Sequence, residues 1–152
     1  MIDTDLAAFV QERVGIHIGT RNQRFEPNGA RALAVRVEHD GAHLVVYLAE
    51  VAAKRIVPDL EANGQAAVSF GRPTDDKACQ IKGTFVGSRA AGPEEREQIV
   101  AQFESFLTNL EEIGIPRRLA QRWPTWPCVA IRLKATAVFT QTPGPGAGEP
   151  VR

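Results

Sequence analysis

The sequence predicts a mainly β, α+β domain, with about six short and mostly antiparallel strands in a barrel or sandwich and helices at the periphery. Three observations predict it. Short apolar runs rich in β-branched residues recur along the chain. Hairpin-type turns separate several of them. Few segments carry helical spacing, and only the one opened by Gly92-Pro93 is long.

The elements follow in order. Asp3-Thr4-Asp5 caps a short helix carrying Leu6, Phe9 and Val10. Val14–Thr20 is a strand, and Arg21–Gly29 is polar with Pro and Gly, hence a loop or turn. Leu33–Val37 and Leu44–Leu48 flank Asp40-Gly41, the signature of a two-residue type I′ hairpin. That register sets Val37 against Leu44, Val35 against Val46 and Leu33 against Leu48, all on one core face. Val51–Ala62 is helical in composition but holds Pro58, which predicts a bend or two short turns, stopped by Asn63-Gly64. Gln65–Gly71 and Lys77–Ser88 are strands, with Gly83 marking a bulge or bend in the second. In the long helix Ile99, Phe103, Phe106, Leu110 and Ile113 form one stripe. Acids sit in its first turn, where the helix dipole favours them, and Gly114 ends it. Val129–Gln141 is the last strand. Residues 1–141 make one domain, and the Pro/Gly-rich tail 142–152 is expected to be extended or disordered.

Composition narrows the function. The chain has 152 residues, 18 Lys+Arg and 18 Asp+Glu, so its formal net charge is zero. That argues against non-specific nucleic-acid binding, which draws on phosphate neutralisation. No apolar run reaches the ~18 residues of a membrane helix, and the first residues lack the pattern of a signal peptide. Cys79 and Cys128 read as reduced thiols of a cytoplasmic core. His17, His39 and His43 have no zinc spacing. No nucleophile elbow, Walker loop or GxGxxG is present. Glu94-Glu95 and Glu111-Glu112 read as a solvated helix face, and Asp75-Asp76 as turn chemistry.

The cluster that suggests a ligand is basic. Arg31, Arg36, Lys54 and Arg55 flank the hairpin and could meet one anion through charge-assisted hydrogen bonds. Residues 31 and 36 are five apart, so in a regular strand they point to opposite faces. Both reach one ligand only if the strand is bulged or one acts across a subunit interface. Trp123 and Trp126 read as packing before the last strand, or as rings that stack on a flat ligand. Arg117, Arg118 and Arg122 read as a solvated face or a second anion contact.

The order R-A-L-A-V-R (31–36), D-G, L-V-V-Y-L (44–48) and A-E-V-A-A-K-R (49–55) resembles the pyridoxamine 5′-phosphate oxidase-like FMN-binding split barrels. V-S-F-x-R-P-T (68–74), Q-I-K-G (80–83) and the tail from Phe139 to Gly148 are similar to that family too. The resemblance implies a split β-barrel and a homodimer with FMN between subunits. It places Arg31, Ala34, Val35, Arg36, Leu48, Ala49 and Gln80 beside the flavin, and Lys54 and Arg55 at its phosphate. The implied activity is a flavin-dependent oxidoreductase acting on a small-molecule substrate or electron donor. The alternatives are a non-enzymatic flavin-binding or stress-related module, and a same-fold protein using F420 or haem. Ala49 and Ala53 stand where a Thr and a Ser are common, and Ala78 stands where the true oxidase has Gln. Arg132-Leu133-Lys134 does not reproduce the oxidase's Arg-x-His segment, so pyridoxamine phosphate oxidation is not expected. An oligonucleotide-binding barrel is a distant rival, because only Tyr47 and Phe85 offer strand aromatics.

Overall fold

The computed structural model describes residues 2–151. It contains α1 (Thr4–Val10), β1 (Gly15–Arg21), β2 (Pro27–Ala32), β3 (Ala34–Val37), β4 (His43–Ala49), α2 (Glu50–Asn63), β5 (Gln65–Gly71), β6 (Ala78–Ala90), α3 (Arg96–Glu112) and β7 (Cys128–Thr140). The seven strands form one antiparallel sheet in the order β2-β1-β5-β6-β7-β4-β3. Strands β2 and β3 are therefore its two edges, yet a single residue, Leu33, joins them. Consecutive Cα atoms are only ~3.8 Å apart, so the sheet has to curl until its edges meet. The result is a split barrel.

The curl separates two apolar layers. The inside holds Ile16, Ile18, Val35, Leu44, Val46, Leu48, Val68, Phe70, Ile81, Ile131 and Leu133, plugged by Phe9 and Val10 of α1 and Ile56 and Leu60 of α2. Outside, Ala34, Val45, Tyr47 and Ala130 are covered by Ile99, Phe103, Phe106 and Leu107 of α3. Strand β4 is buried on both faces, which explains its unbroken apolar run. The split edges are closed by side chains. Gln102 donates to Val35 O at 2.7 Å and accepts from Val35 N at 3.0 Å. At the other edge, Asn28 donates to Arg55 O at 2.9 Å and Arg55 donates to Gly29 O at 2.8 Å. Edge groups that would otherwise template aggregation are thereby satisfied.

Several expectations are corrected. The described residues form seven strands, because 27–32 is a strand and only 22–26 remains a turn, tied by Asn22 Oδ1 accepting from Arg24 N and Glu26 N. Val37–Leu44 and Val35–Val46 pair as expected. Leu33 does not face Leu48: it lies in the outer layer and Leu48 in the inner one. Ala32 points in, Leu33 and Ala34 both point out, and Val35 points in again. This break resets the alternation. The hairpin connection is a four-residue loop, closed by Glu38 N–H donating to His43 O at 2.9 Å, and within it only Gly41 has a positive φ, +61°. Asp40 Oδ1 accepts from Ala42 N and His43 N, so it shapes the loop by its side chain. Helix α2 runs unbroken through Pro58 to a left-handed Gly64. In α3 the buried stripe takes in Leu107 and Asn109, whereas Ile113 is exposed. Residues 142–151 fold back on the sheet rather than running free. Positive φ at Gly144, Gly146 and Gly148 turns the tail back, and Val151 N donates to Val138 O at 2.8 Å. No described helix is long and apolar enough to cross a membrane.

Gly83 sits at one of two register shifts of β6, as its sequence position suggested. A Cβ there would lie 2.9 Å from Lys134 O, a backbone atom that cannot swing away. Gly83→Ala is expected to destabilise by about 1–3 kcal/mol in denaturant titrations. Gly71→Ala, whose Cβ meets nothing within 4 Å, is expected to stay within about 0.5 kcal/mol. A second expectation concerns acid. Glu95 receives a fork from Arg89 at 2.6 and 2.8 Å, the Tyr47 hydroxyl at 2.7 Å and Gly92 N–H at 2.8 Å. Chiefly through the Arg89 fork, its carboxyl is pulled from 4.5 to about 2. A depressed carboxylate stabilises the fold above its unfolded value and loses that contribution as pH falls. Between pH 4.5 and 2 the wild type should therefore lose about 1–3 kcal/mol that Glu95→Gln never had.

Candidate functional site

Four residues stand in line across the outer face of the sheet. Arg31 on β2 is opposite His17 on β1, His17 is opposite Ser69 on β5, and Ser69 is opposite Gln80 on β6. Beside them runs a row of small residues, Gly29, Gly19 and Ala67, ending on Lys82. A shallow hollow of about 530 Å³ lies over both rows. Neither glycine is needed for a positive φ. A Cβ at Gly19 would come within 3.8 Å of Ala67 O, and one at Gly29 within 3.6 Å of Ile18 O, which are ordinary contacts. The backbone tolerates side chains at both positions, and their absence leaves a flat strip of bare strand.

Arg31 borders this strip. Its guanidinium carbon lies 4.3 Å from the centre of the Trp123 ring and 5.2 Å from that of Phe106. Its Nη1 is buried with no hydrogen-bond partner, and burial lowers its pKa. A buried donor left unmade costs stability, so this cation is held desolvated with an unused bond. His17 is solvent-exposed as a whole, but desolvation by its neighbours, and secondly the charge of Arg31, hold its imidazole below the usual range. It is thus biased toward the neutral form at pH 7.

On the other side of Gly29–Arg31 opens a cleft of about 520 Å³, lined by Arg31, Leu33, Ala49, Arg55 and Trp123. The first turn of α2 reaches it through Val51 and Ala52. Ala49 caps that helix without a side-chain bond, and Glu50 N–H donates to Pro127 O at 3.0 Å. Val51 and Ala52 are the second and third residues of the helix, and N–H groups in a first turn have no carbonyl of the helix four residues back, the arrangement that accepts an anion at a helix start.

The structure brings Arg31, Ala49 and Arg55 to the cleft and Arg31 and Gln80 to the hollow. It does not bring in Lys54, which is exposed and lines neither. The side chains of Ala34, Val35 and Leu48 are fully buried. Arg36 shares the outer face with Arg31 but lies in a separate hollow with Val45, Arg89 and Arg132. Trp123 lines the cleft and packs on Phe103 at 5.9 Å between ring centres. Burial pushes the Cys79 thiol up to about 12 and that of Cys128 to about 11, so neither is a nucleophile near neutral pH. The sequence pattern did not point to His17, Gly19 or Gly29. The signal was the period-two alternation of 29–32, hidden because that stretch lacks β-branched residues.

No family model and no curated protein matches the chain. Solved structures that resemble it include an F420 reductase, at 14% identity over 86% of this chain and 93% of that one, TM-score 0.55. An FMN-binding protein from Syntrophomonas wolfei subsp. wolfei matches at 13% identity over 91% and 87%, TM-score 0.54. The haem storage protein HutZ from Vibrio cholerae matches at 15% identity over 91% and 94%, TM-score 0.50.

The fold does not use the hydrogen-bonding capacity of Arg31 Nη1. Arg31→Met removes the orphaned donor and replaces cation–π contacts with sulfur–aromatic ones. Its unfolding free energy, read from denaturant titrations, is expected within about 1 kcal/mol of wild type.

Proposed function

We propose that this chain, which has the split-barrel fold of the pyridoxamine 5′-phosphate oxidase-like FMN-binding proteins, binds FMN and serves as a flavin-dependent oxidoreductase on a small substrate. The observation that carries the proposal is the junction at Arg31. There a desolvated cation with an unused donor stands between a bare flat strip and the first turn of a helix. FMN has the matching parts, a flat ring and a phosphate.

The ring lies on the Gly29–Gly19–Ala67 strip, flanked by Arg31, His17 and Gln80. The phosphate takes the N–H groups of Val51 and Ala52, with Arg55 at the rim. Bound FMN supplies the hydride and electron transfer, and the protein supplies orientation and charge. Trp123 shields one side from water. The strip is open to solvent on its other side, so a second copy of the chain in a two-fold dimer completes the enclosure. The protein works in the cytoplasm, where its two buried thiols stay reduced. F420 presents the same pairing of ring and phosphate and is the second reading. Haem would draw on neutral His17 as a ligand instead.

Mass spectrometry of the small molecule that co-purifies separates these ligands. In titrations, Arg55→Ala is expected to weaken FMN about 10- to 150-fold, the equivalent of one charge-assisted contact. Riboflavin, which lacks the phosphate, should be unaffected by that change. Lys54→Ala should alter FMN affinity less than about threefold. Gly19→Leu should block both flavins without unfolding the protein. Equal FMN affinity in wild type, Arg55→Ala and Gly19→Leu would overturn the proposal. Loaded protein that shows no turnover with NAD(P)H or other reductants would leave a flavin-binding module rather than an enzyme.

A further inference from the structure

A second hollow lies on the same outer face, away from the cofactor cleft, where the sheet order brings three arginines together. Arg36 on β3 and Arg132 on β7 stand directly opposite Val45 on β4, one on each side of it. In the next row, Arg89 on β6 stands opposite Ala130 on β7. The second register shift of β6 falls between Phe85 and Gly87, and it leaves Val86 half-exposed on the wall of the hollow. The space is about 280 Å³, near the lower end of small-molecule sites. Its floor is apolar and buried, made by Val45 and Ala130.

Two of the arginines are already paired. Both oxygens of Glu38 are taken by Arg132, at 3.0 and 2.7 Å. Both oxygens of Glu95 are taken by Arg89, at 2.8 and 2.6 Å. Asp40 also acts on Arg132 and Glu94 on Arg89, so these two arginines are matched by acids of their own. Arg36 is the one left over. It donates only from Nε, to the Tyr47 hydroxyl at 3.3 Å, and its two terminal nitrogens have no acceptor among the described residues. Tyr47 is in turn fixed by donating to Glu95 at 2.7 Å. The free end of Arg36 lies over an apolar floor, with Arg89 and Arg132 tied to their own carboxylates.

We infer that this hollow binds a small organic carboxylate, its anionic end on the terminal nitrogens of Arg36 and its apolar body on Val45, Ala130 and Val86. An apolar floor favours a carboxylate with a hydrocarbon body over inorganic phosphate, which would gain nothing from it. The site stands independently of the FMN proposal, because none of its residues lines the cofactor cleft or strip.

Benzoate is the probe, followed by amide NMR shifts on the full-length protein. Saturable shifts at Val45, Gly87 and Ala130 are expected, with benzyl alcohol and inorganic phosphate each at least tenfold weaker. Arg36→Gln should weaken benzoate about 10- to 150-fold, and Arg36→Lys should restore part of it. A Cβ at Gly87 meets nothing within 4 Å, so Gly87→Val folds, fills the hollow and abolishes the shifts. All three variants should bind FMN like the wild type. Absence of saturable shifts, shifts that persist in both Arg36→Gln and Gly87→Val, or loss of FMN binding in Arg36→Gln would each overturn the inference. The last result would return Arg36 to the cofactor.

Discussion

One residue sets the architecture. Leu33 carries the chain from one edge of the sheet to the other, so the length of a single peptide link dictates closure. Everything else accommodates that link. The sheet curls, β4 becomes buried on both faces, and α3 must cover the outer layer that the curl leaves apolar. The edges that meet at Leu33 cannot both pair with strands there. Side-chain amides from Gln102 and Asn28, and the guanidinium of Arg55, supply the missing hydrogen bonds.

The same residue decides where the arginines go. Arg31 and Arg36 are five apart, so an unbroken strand would put one inside the barrel. Leu33 and Ala34 both face outward, which shifts the alternation by one and brings both arginines to the outer surface. They emerge on opposite sides of the closure, one beside the glycine strip and one over Val45. A single local irregularity yields two separate cationic sites where the sequence suggested one.

Much of the fold was legible because burial imposes periodicity. Strands β4, β5 and β7 and helix α3 announce themselves by β-branched runs or a stripe of large apolar residues. Strand β2 did not, since Pro27-Asn28-Gly29-Ala30-Arg31-Ala32 carries no such residue. Its place in the sheet comes from pairing with β1, a tertiary fact. That omission hid the candidate site, because Gly19 and Gly29 become a strip only when β1 and β2 lie side by side. The basic residues were visible individually, but their grouping was not. Lys54 and Arg55 are adjacent in sequence, yet the helical turn of about 100° between them leaves only Arg55 on the cleft.

The candidate site forgoes stabilising contacts at particular residues. Gly19 and Gly29 forgo side chains that the backbone would accept, and Arg31 holds a buried nitrogen unbonded between two aromatic rings. A sequence selected for stability alone would fill the strip and replace the arginine with an apolar residue. The stability forgone at these positions is supported by the doubly buried β4, the inner plug of α1 and α2, and the Tyr47–Glu95–Arg89 network. The barrel can therefore keep an unsatisfied cation poised on its surface, because the closure at Leu33 fixes both strands that border it.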